Sequence, residues 1–216
     1  MAMRATLTWL CSLAVLCCSA AQETGRDNCS SLTQVFHRLP ADLKVAAECG
    51  QSPPSTWTPQ QTASLLLYMR NVTDALHQHQ LRECQGAEPT RCPEAEVPSN
   101  GGLACVTVGN KRYCKPLCNH GFDFGFLRRS RVFDECSEQT GYKWQTPYVG
   151  GNRLAVCNQA LTQISGAKTA YFPKDQDCRS TKSSSQLTNS VIEALAAELK
   201  AQEINGEPQH ACLVCG

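Results

Sequence analysis

Ser99-Asn-Gly-Gly-Leu-Ala-Cys-Val-Thr-Val-Gly-Asn-Lys-Arg-Tyr-Cys114 is the stretch on which the fold turns. Ala104 to Val108 is short, rich in apolar and β-branched residues, and bounded by two turn signals, Ser99-Asn-Gly-Gly102 and Gly109-Asn110. Such a piece reads as a β-strand between turns. Leu154 to Val156 reads the same way. The surrounding region, roughly Cys92 to Cys157, is rich in glycine, aromatics and cysteine and has little helical period.

On either side the pattern changes to helix. Ser31-Leu-Thr-Gln34 resembles a capping box, and Leu32, Val35, Phe36 and Leu39 then share one helical face until Pro40, where the run is expected to stop. A shorter piece from Ala41 to Cys49 ends at Gly50, and Gln51 to Trp57, with Pro53-Pro54, reads as a linker. Thr58-Pro59-Gln60-Gln61 is the strongest helix start in the chain, with a capping threonine, proline at the first helical position and glutamine at the third. Leu65, Met69, Val72 and Leu76 then recur at helical spacing. Beyond the middle, Ser183-Ser-Ser185 leads into Val191, Ile192, Leu195 and Leu199, and Asn205-Gly206 closes that run.

The expected fold class is therefore α+β, with helical N- and C-terminal segments around a small disulfide-rich β-module. The expected divisions are residues 1–21, 22–90, 91–158 and 159–216, the last holding one helix and a CxxC end. The first of these reads as an export signal: Arg4 supplies a positive start, Leu7 to Leu16 an apolar run, and Ser19-Ala20-Ala21 the small residues of a cleavage site. The expected cut leaves Gln22 first. That run is too short to span a bilayer, which takes about 20 apolar residues, and no later stretch is expected to span one.

Of 15 cysteines, Cys11, Cys17 and Cys18 would leave with the signal, so twelve remain. An even set of spaced cysteines behind an export signal implies a disulfide framework, because the secretory route is oxidising. Asn28-Cys29-Ser30 and Asn71-Val72-Thr73 are glycosylation sequons of the same route. On its helix Asn71 lies about 120° from the apolar stripe, so a glycan there would face solvent. The formal net charge of +1 lacks the basic footprint of a nucleic-acid binder. Aromatics make up only 6% of the chain, so bridges are expected to supply stability that a thin core does not.

The middle region resembles a sushi (complement control protein) module. Cys92-Pro93 precedes Pro98-Ser-Asn100-Gly101; Tyr113 stands before Cys118-Asn-His-Gly121-Phe122; Cys136 is followed by Gly141-Tyr-Lys-Trp144, and Cys157 would close the module. The resemblance implies bridges Cys92–Cys136 and Cys118–Cys157, leaving Cys105 and Cys114 to close a hairpin around Gly109-Asn110. The sequence departs from the family in these two extra cysteines, in the length from Cys118 to Cys136, and in having no proline just before Cys157. A second resemblance, to an EGF-like module, rests on Asn100-Gly-Gly-Leu-Ala-Cys105-Val106 and Gly121-Phe122 and would use Cys84, Cys92, Cys105, Cys114, Cys118 and Cys136. It places three residues between Cys114 and Cys118 where that family typically has one.

Outside the middle lie Cys29, Cys49 and Cys84 on one side and Cys178, Cys212 and Cys215 on the other. Each set is odd. If the middle six pair among themselves and every cysteine is oxidised within one chain, at least one bridge joins the flanks, and head and tail pack into one unit. A free or intermolecular thiol is the alternative.

No catalytic motif or cofactor site stands out. Cys212-Leu-Val-Cys215 has redox or metal spacing but no helix behind it, so structural bridging is expected. His77 and His79 are two apart on a helix, hence about 200° apart around its axis, and are expected to be solvated surface. Leu127-Arg-Arg-Ser-Arg131 is the one sharp charge cluster. With Phe124 and Phe126 beside them, Arg128, Arg129 and Arg131 are a candidate binding patch for an extracellular protein or a sulfated glycan. Arg128 and Arg131 also have processing-site spacing, while an ordinary exposed loop is the plain reading. Resemblance to sushi proteins implies extracellular recognition, such as adhesion or immune regulation. The alternatives are a hormone- or cytokine-like signal processed near Arg131, and a secreted enzyme or inhibitor.

Overall fold

The computed structural model describes residues 32–51, 57–146 and 149–216. The expected signal peptide, Asn28, Cys29, Ser31 and most of the expected linker lie outside these residues. The fold is mixed α and β and is rich in disulfides. The chain divides after Leu66 into two compact units, each described by itself.

The first unit contains α1 (Leu32–Gln51) and the start of α2 (Pro59–Leu81). Pro40 does not stop α1, which continues through it. A proline inside a helix forfeits one backbone hydrogen bond, but the good helix formers from Ala41 to Glu48 carry the helix onward. The start of α2 is the expected capping box. Thr58 N–H donates to Gln61 Oε1 (2.9 Å), and Gln61 N–H donates back to Thr58 Oγ1 (3.2 Å). None of the α2 side chains is buried, and Met69, Val72 and Leu76 of the apolar stripe are exposed.

The second unit, Leu67–Gly216, is built on a four-stranded antiparallel sheet. Its strands are β1 (Gly101–Val108), β2 (Lys111–Cys118), β4 (Asp134–Cys136) and β6 (Gln209–Cys215), in the order β4-β2-β1-β6. A two-stranded sheet pairs β3 (Phe122–Phe124) with β5 (Cys157–Gln159), so the strand expected at Leu154 begins later, at Cys157. Gly109 (φ 56°) and Asn110 (φ 58°) join β1 to β2, with Val108 opposite Lys111. Two successive positive φ angles make this the primed turn whose twist matches a hairpin.

Every residue of β1 is buried, because both faces of the sheet are covered. On one face Ala104, Val106, Tyr113, Leu117 and Leu213 pack with Leu195 and Leu199 of α4 (Ser185–Ala201). The Ser184 side chain caps α4 by accepting from Leu187 N–H, and the helix follows a short one, α3 (Cys178–Lys182). Lys115, fully buried on this face, donates to both carboxylate oxygens of Glu198 at 2.7 Å. Burial lowers the Lys115 ammonium from its ordinary range, and Glu198 opposes that shift. On the other face Leu103, Cys105, Cys114, Cys212 and Val214 pack with Trp144 and Leu154.

The C-terminal segment ends not in helix but in strand. Cys212-Leu-Val-Cys215 belongs to β6, which lies beside β1 with Cys212 opposite Cys105. The β-module thus draws an edge strand from beyond residue 158. Gly102 allows the chain to cross here: a Cβ at this position would stand 2.4 Å from Cys178 Sγ.

Five disulfides join described cysteines: Cys84–Cys212, Cys92–Cys136, Cys105–Cys114, Cys118–Cys157 and Cys178–Cys215. Cys92–Cys136 and Cys118–Cys157 link the cysteines that the sushi resemblance pairs, and Cys105–Cys114, the pair left over, closes the hairpin around Gly109-Asn110. Cys84–Cys212 joins the segment before the module to the tail. Head and tail do not form a single unit, however, because the head as far as Leu66 is a unit of its own and the bridge ties only the later part. Cys49 is exposed and forms no bridge with a described residue. Among the described residues, no helix is long and apolar enough to cross a membrane.

Candidate functional site: a cavity around Arg112

The candidate arginine patch is largely consumed by the fold. Arg128 is only 8% exposed; its Nη2 donates to Asp134 Oδ2 (2.7 Å) and its Nη1 to the Leu154 carbonyl (2.8 Å). Arg131 donates from Nε to the other oxygen of Asp134 at 2.6 Å. Phe124 is buried, with its ring against Tyr171, whereas Phe126 is exposed. Arg129 is exposed and donates to the Ile164 carbonyl. The five residues therefore do not make one exposed surface, since a buried Asp134 needs both Arg128 and Arg131 as counter-charges. Arg131, the alternative processing site, is spanned by both Cys92–Cys136 and Cys118–Cys157.

The candidate site lies on the face of the sheet away from α4. A cavity of about 350 Å³ opens there, between the sheet and the segment that follows α2. Its apolar wall includes Leu81, Val97, Leu103, Trp144 and Val214. Trp144 is held by its indole N–H, which donates to the Pro93 carbonyl at 2.8 Å. His77 lines the rim, half-buried, while His79 faces solvent.

Arg112 supplies the charge. It follows the β1–β2 turn, faces the cavity side of β2 and is only 5% exposed. Nη1 donates to Thr107 Oγ1 (3.3 Å) and to the His210 carbonyl (2.8 Å), and Nη2 donates to Cys212 Sγ (3.1 Å). The Thr107 hydroxyl in turn donates to the Glu88 carbonyl at 2.7 Å. The His210 carbonyl reaches Arg112 at an irregularity in the sheet: the register between β1 and β6 shifts between Cys105 and Thr107, and His210 adopts φ 46°. Such bulges re-aim groups that a regular ladder would consume.

Among the described residues, three of the five Arg112 N–H groups are taken by these neutral acceptors, and no carboxylate stands within ion-pair distance. Burial pulls the guanidinium down to about 10, and Glu94, also on the cavity wall, acts against that shift from longer range. Glu94 itself is raised by burial, with Arg112 opposing. The cavity thus presents a desolvated cation beside an apolar stretch of wall formed by Leu81, Leu103, Trp144 and Val214, with Glu94 and Glu96 elsewhere in the lining, and the cation and this stretch together suit an anionic group on an apolar body.

Sequence reasoning passed over Arg112 because Lys-Arg after a hairpin turn reads as solvated surface. The sulfurs of Cys84, Cys105 and Cys212 lie within 4.8 Å of one another beneath it. Each is bound in a disulfide, and a metal is held by thiolate rather than by a bridged sulfur. We find no family model, curated protein or solved structure that matches this chain.

Proposed function

We propose that this protein is a secreted, disulfide-stapled glycoprotein of the extracellular space that works by binding, and that its ligand is a small molecule carrying an anionic head on an apolar body. The observation that carries this reading is the desolvated Arg112 guanidinium, set in the cavity wall beside an apolar stretch and, among the described residues, without a carboxylate partner in ion-pair range. A head group such as a carboxylate would accept from the guanidinium, and an alkyl or aryl body would lie along Leu81, Leu103 and Trp144.

Five disulfides and an exposed Asn71 in a sequon support export through an oxidising, glycosylating route. The sushi-like reading of the middle region, with its class of extracellular recognition, belongs to this proposal, and Cys92–Cys136 and Cys118–Cys157 are the two pairs that it implies. Burial of Arg128 beside Asp134 weighs against a sulfated glycan held by the arginine cluster.

Isothermal titration with octanoate and its uncharged analogue octanamide tests the reading. Octanoate is expected to bind, octanamide to bind at least about tenfold more weakly, and Arg112→Gln to remove that preference. Equal binding of the two compounds, or none of octanoate at millimolar concentration, contradicts it.

A further inference from the structure

Two disulfides stand side by side on the cavity face of the sheet. In the strand order β2-β1-β6, Cys114, Cys105 and Cys212 occupy one row: Cys105 is directly opposite Cys114 on one side and directly opposite Cys212 on the other. Cys105 is bonded to Cys114, while Cys212 is bonded outward to Cys84, which lies just beyond α2. The sulfur of Cys105 therefore has Cys84 and Cys212 as neighbours within 4.8 Å besides its own partner. Directly opposed residues of antiparallel strands lie about 4.5 to 5.5 Å apart at Cα, inside the range a disulfide spans. The Cys105–Cys114 bridge already uses that geometry on one side, and the same row offers it on the other, between Cys105 and Cys212.

The chemistry around the row is asymmetric. Arg112 Nη2 donates to Cys212 Sγ, so the one cationic side chain on this wall is aimed at one sulfur of the Cys84–Cys212 bridge. A thiolate is stabilised beside an arginine, and a disulfide opens faster when the departing sulfur is the better-stabilised thiolate. Of the two residues of this bridge, Cys84 lines the cavity and Cys212 does not; Cys92, Cys105 and Cys114 line it too. The other three bridges lack this arrangement: neither Cys92–Cys136, Cys118–Cys157 nor Cys178–Cys215 has a hydrogen bond from a guanidinium or ammonium to sulfur among the described residues.

We infer that this row is a thiol–disulfide exchange site, in which a small extracellular thiol enters the cavity, opens Cys84–Cys212 and passes the exchange on to Cys105–Cys114. In the first step the entering thiolate attacks Cys84 Sγ. A sulfur–sulfur bond forms between the thiol and Cys84, the Cys84–Cys212 bond breaks, and its electron pair leaves on Cys212 Sγ beside Arg112. In the second step Cys212 thiolate attacks Cys105 Sγ. The Cys105–Cys212 bond forms, the Cys105–Cys114 bond breaks, and Cys114 leaves as a thiolate that takes a proton from water. Two disulfides and one thiol enter, and two disulfides and one thiol result, so no oxidant or reductant beyond the thiol is consumed. The product carries the thiol on Cys84, free of the tail, and the sheet restapled from β1 to β6 instead of from β1 to β2.

This exchange is independent of the anion-binding reading, because it needs the cavity only as an entry for the thiol. It is tested on the full secreted chain under native conditions with reduced glutathione, followed by rapid alkylation and non-reducing peptide mapping. Cys84 is expected to carry glutathione first and Cys114 to be the alkylated thiol, with a Cys105–Cys212 linked peptide accumulating while the other three bridges stay closed. Arg112→Gln is expected to slow the opening about three- to tenfold, and Arg112→Lys to restore most of the rate. Opening of all five bridges together, earlier opening of Cys92–Cys136, Cys118–Cys157 or Cys178–Cys215, or faster opening in Arg112→Gln would each overturn the assignment. The order of opening in the unaltered protein decides the matter even if the Arg112 variants fail to fold.

Discussion

Arg112 Nη2 donates a hydrogen bond to Cys212 Sγ, 3.1 Å away, although the two residues stand 100 positions apart in the chain. The contact crosses the sheet from β2 to β6 over the intervening β1. It joins the charge of the cavity to the bridge that ties the end of the head to the tail, so the binding surface and the covalent frame share an atom pair.

The Cys84–Cys212 bridge is therefore expected to matter for both. It closes a separation of 128 residues, and removing it as Cys84→Ala/Cys212→Ala should cost about 4 to 5 kcal/mol through the freed unfolded chain. Urea denaturation measures this. A loss below about 1 kcal/mol would mean that the noncovalent contacts of β6 already hold the tail.

Arg128 and Arg129 are adjacent in sequence and opposite in consequence. Arg128→Gln removes a buried partner of Asp134 and should cost about 3 kcal/mol. Arg129→Gln, at an exposed site, should stay within about 0.5 kcal/mol. Thermal melts of the two variants check the contrast, and similar melting temperatures would return the cluster to the surface.

Lys115 and Glu198 form a buried pair whose halves need each other. Glu198→Gln leaves the ammonium without its counter-charge and should cost about 3 kcal/mol, whereas Lys115→Met/Glu198→Leu should cost less than that single change. A double variant less stable than Glu198→Gln alone contradicts the packing described for α4 against β2.

Asp123 sets an acid limit. Burial alone would raise its carboxyl, but hydrogen bonds from the Tyr171 hydroxyl, Ile164 N–H, Ser165 and Phe124 N–H outweigh that and hold it below the ordinary 3.8. A depressed carboxyl contributes stability that is fully present above its unfolded value and is lost as pH falls through the folded one. The unaltered protein should therefore lose stability below about pH 4, and Asp123→Asn should flatten that limb of the profile. An unchanged slope in the variant would remove Asp123 from the account.

What the sequence disclosed follows the range of the forces involved. The Thr58–Gln61 capping box and the Gly109-Asn110 hairpin are settled by residues within a few positions of one another, and both formed as expected. β6 was missed because Cys212-Leu-Val-Cys215 was read for the spacing of its cysteines, and its partner β1 lies about a hundred residues earlier. Leu65, Met69, Val72 and Leu76 have the periodicity of a buried face, yet the last three are exposed. Periodicity records an apolar stripe and does not say what covers it. Arg112 was hidden for the same reason as β6: its burial depends on His210 and Cys212 arriving from the far end of the chain. The arginine cluster failed as a patch because Asp134, three residues beyond Arg131, draws Arg128 into the interior and ties up Arg131 at its edge.

Native mass spectrometry of the protein captured from the medium of secreting animal cells tests the central claim most directly. The account predicts that a small anionic, partly apolar molecule travels with the unaltered chain, is released on denaturation, and is missing from Arg112→Gln of the same fold. An empty unaltered protein, or the same bound molecule in both proteins, would contradict a binding cavity organised around Arg112.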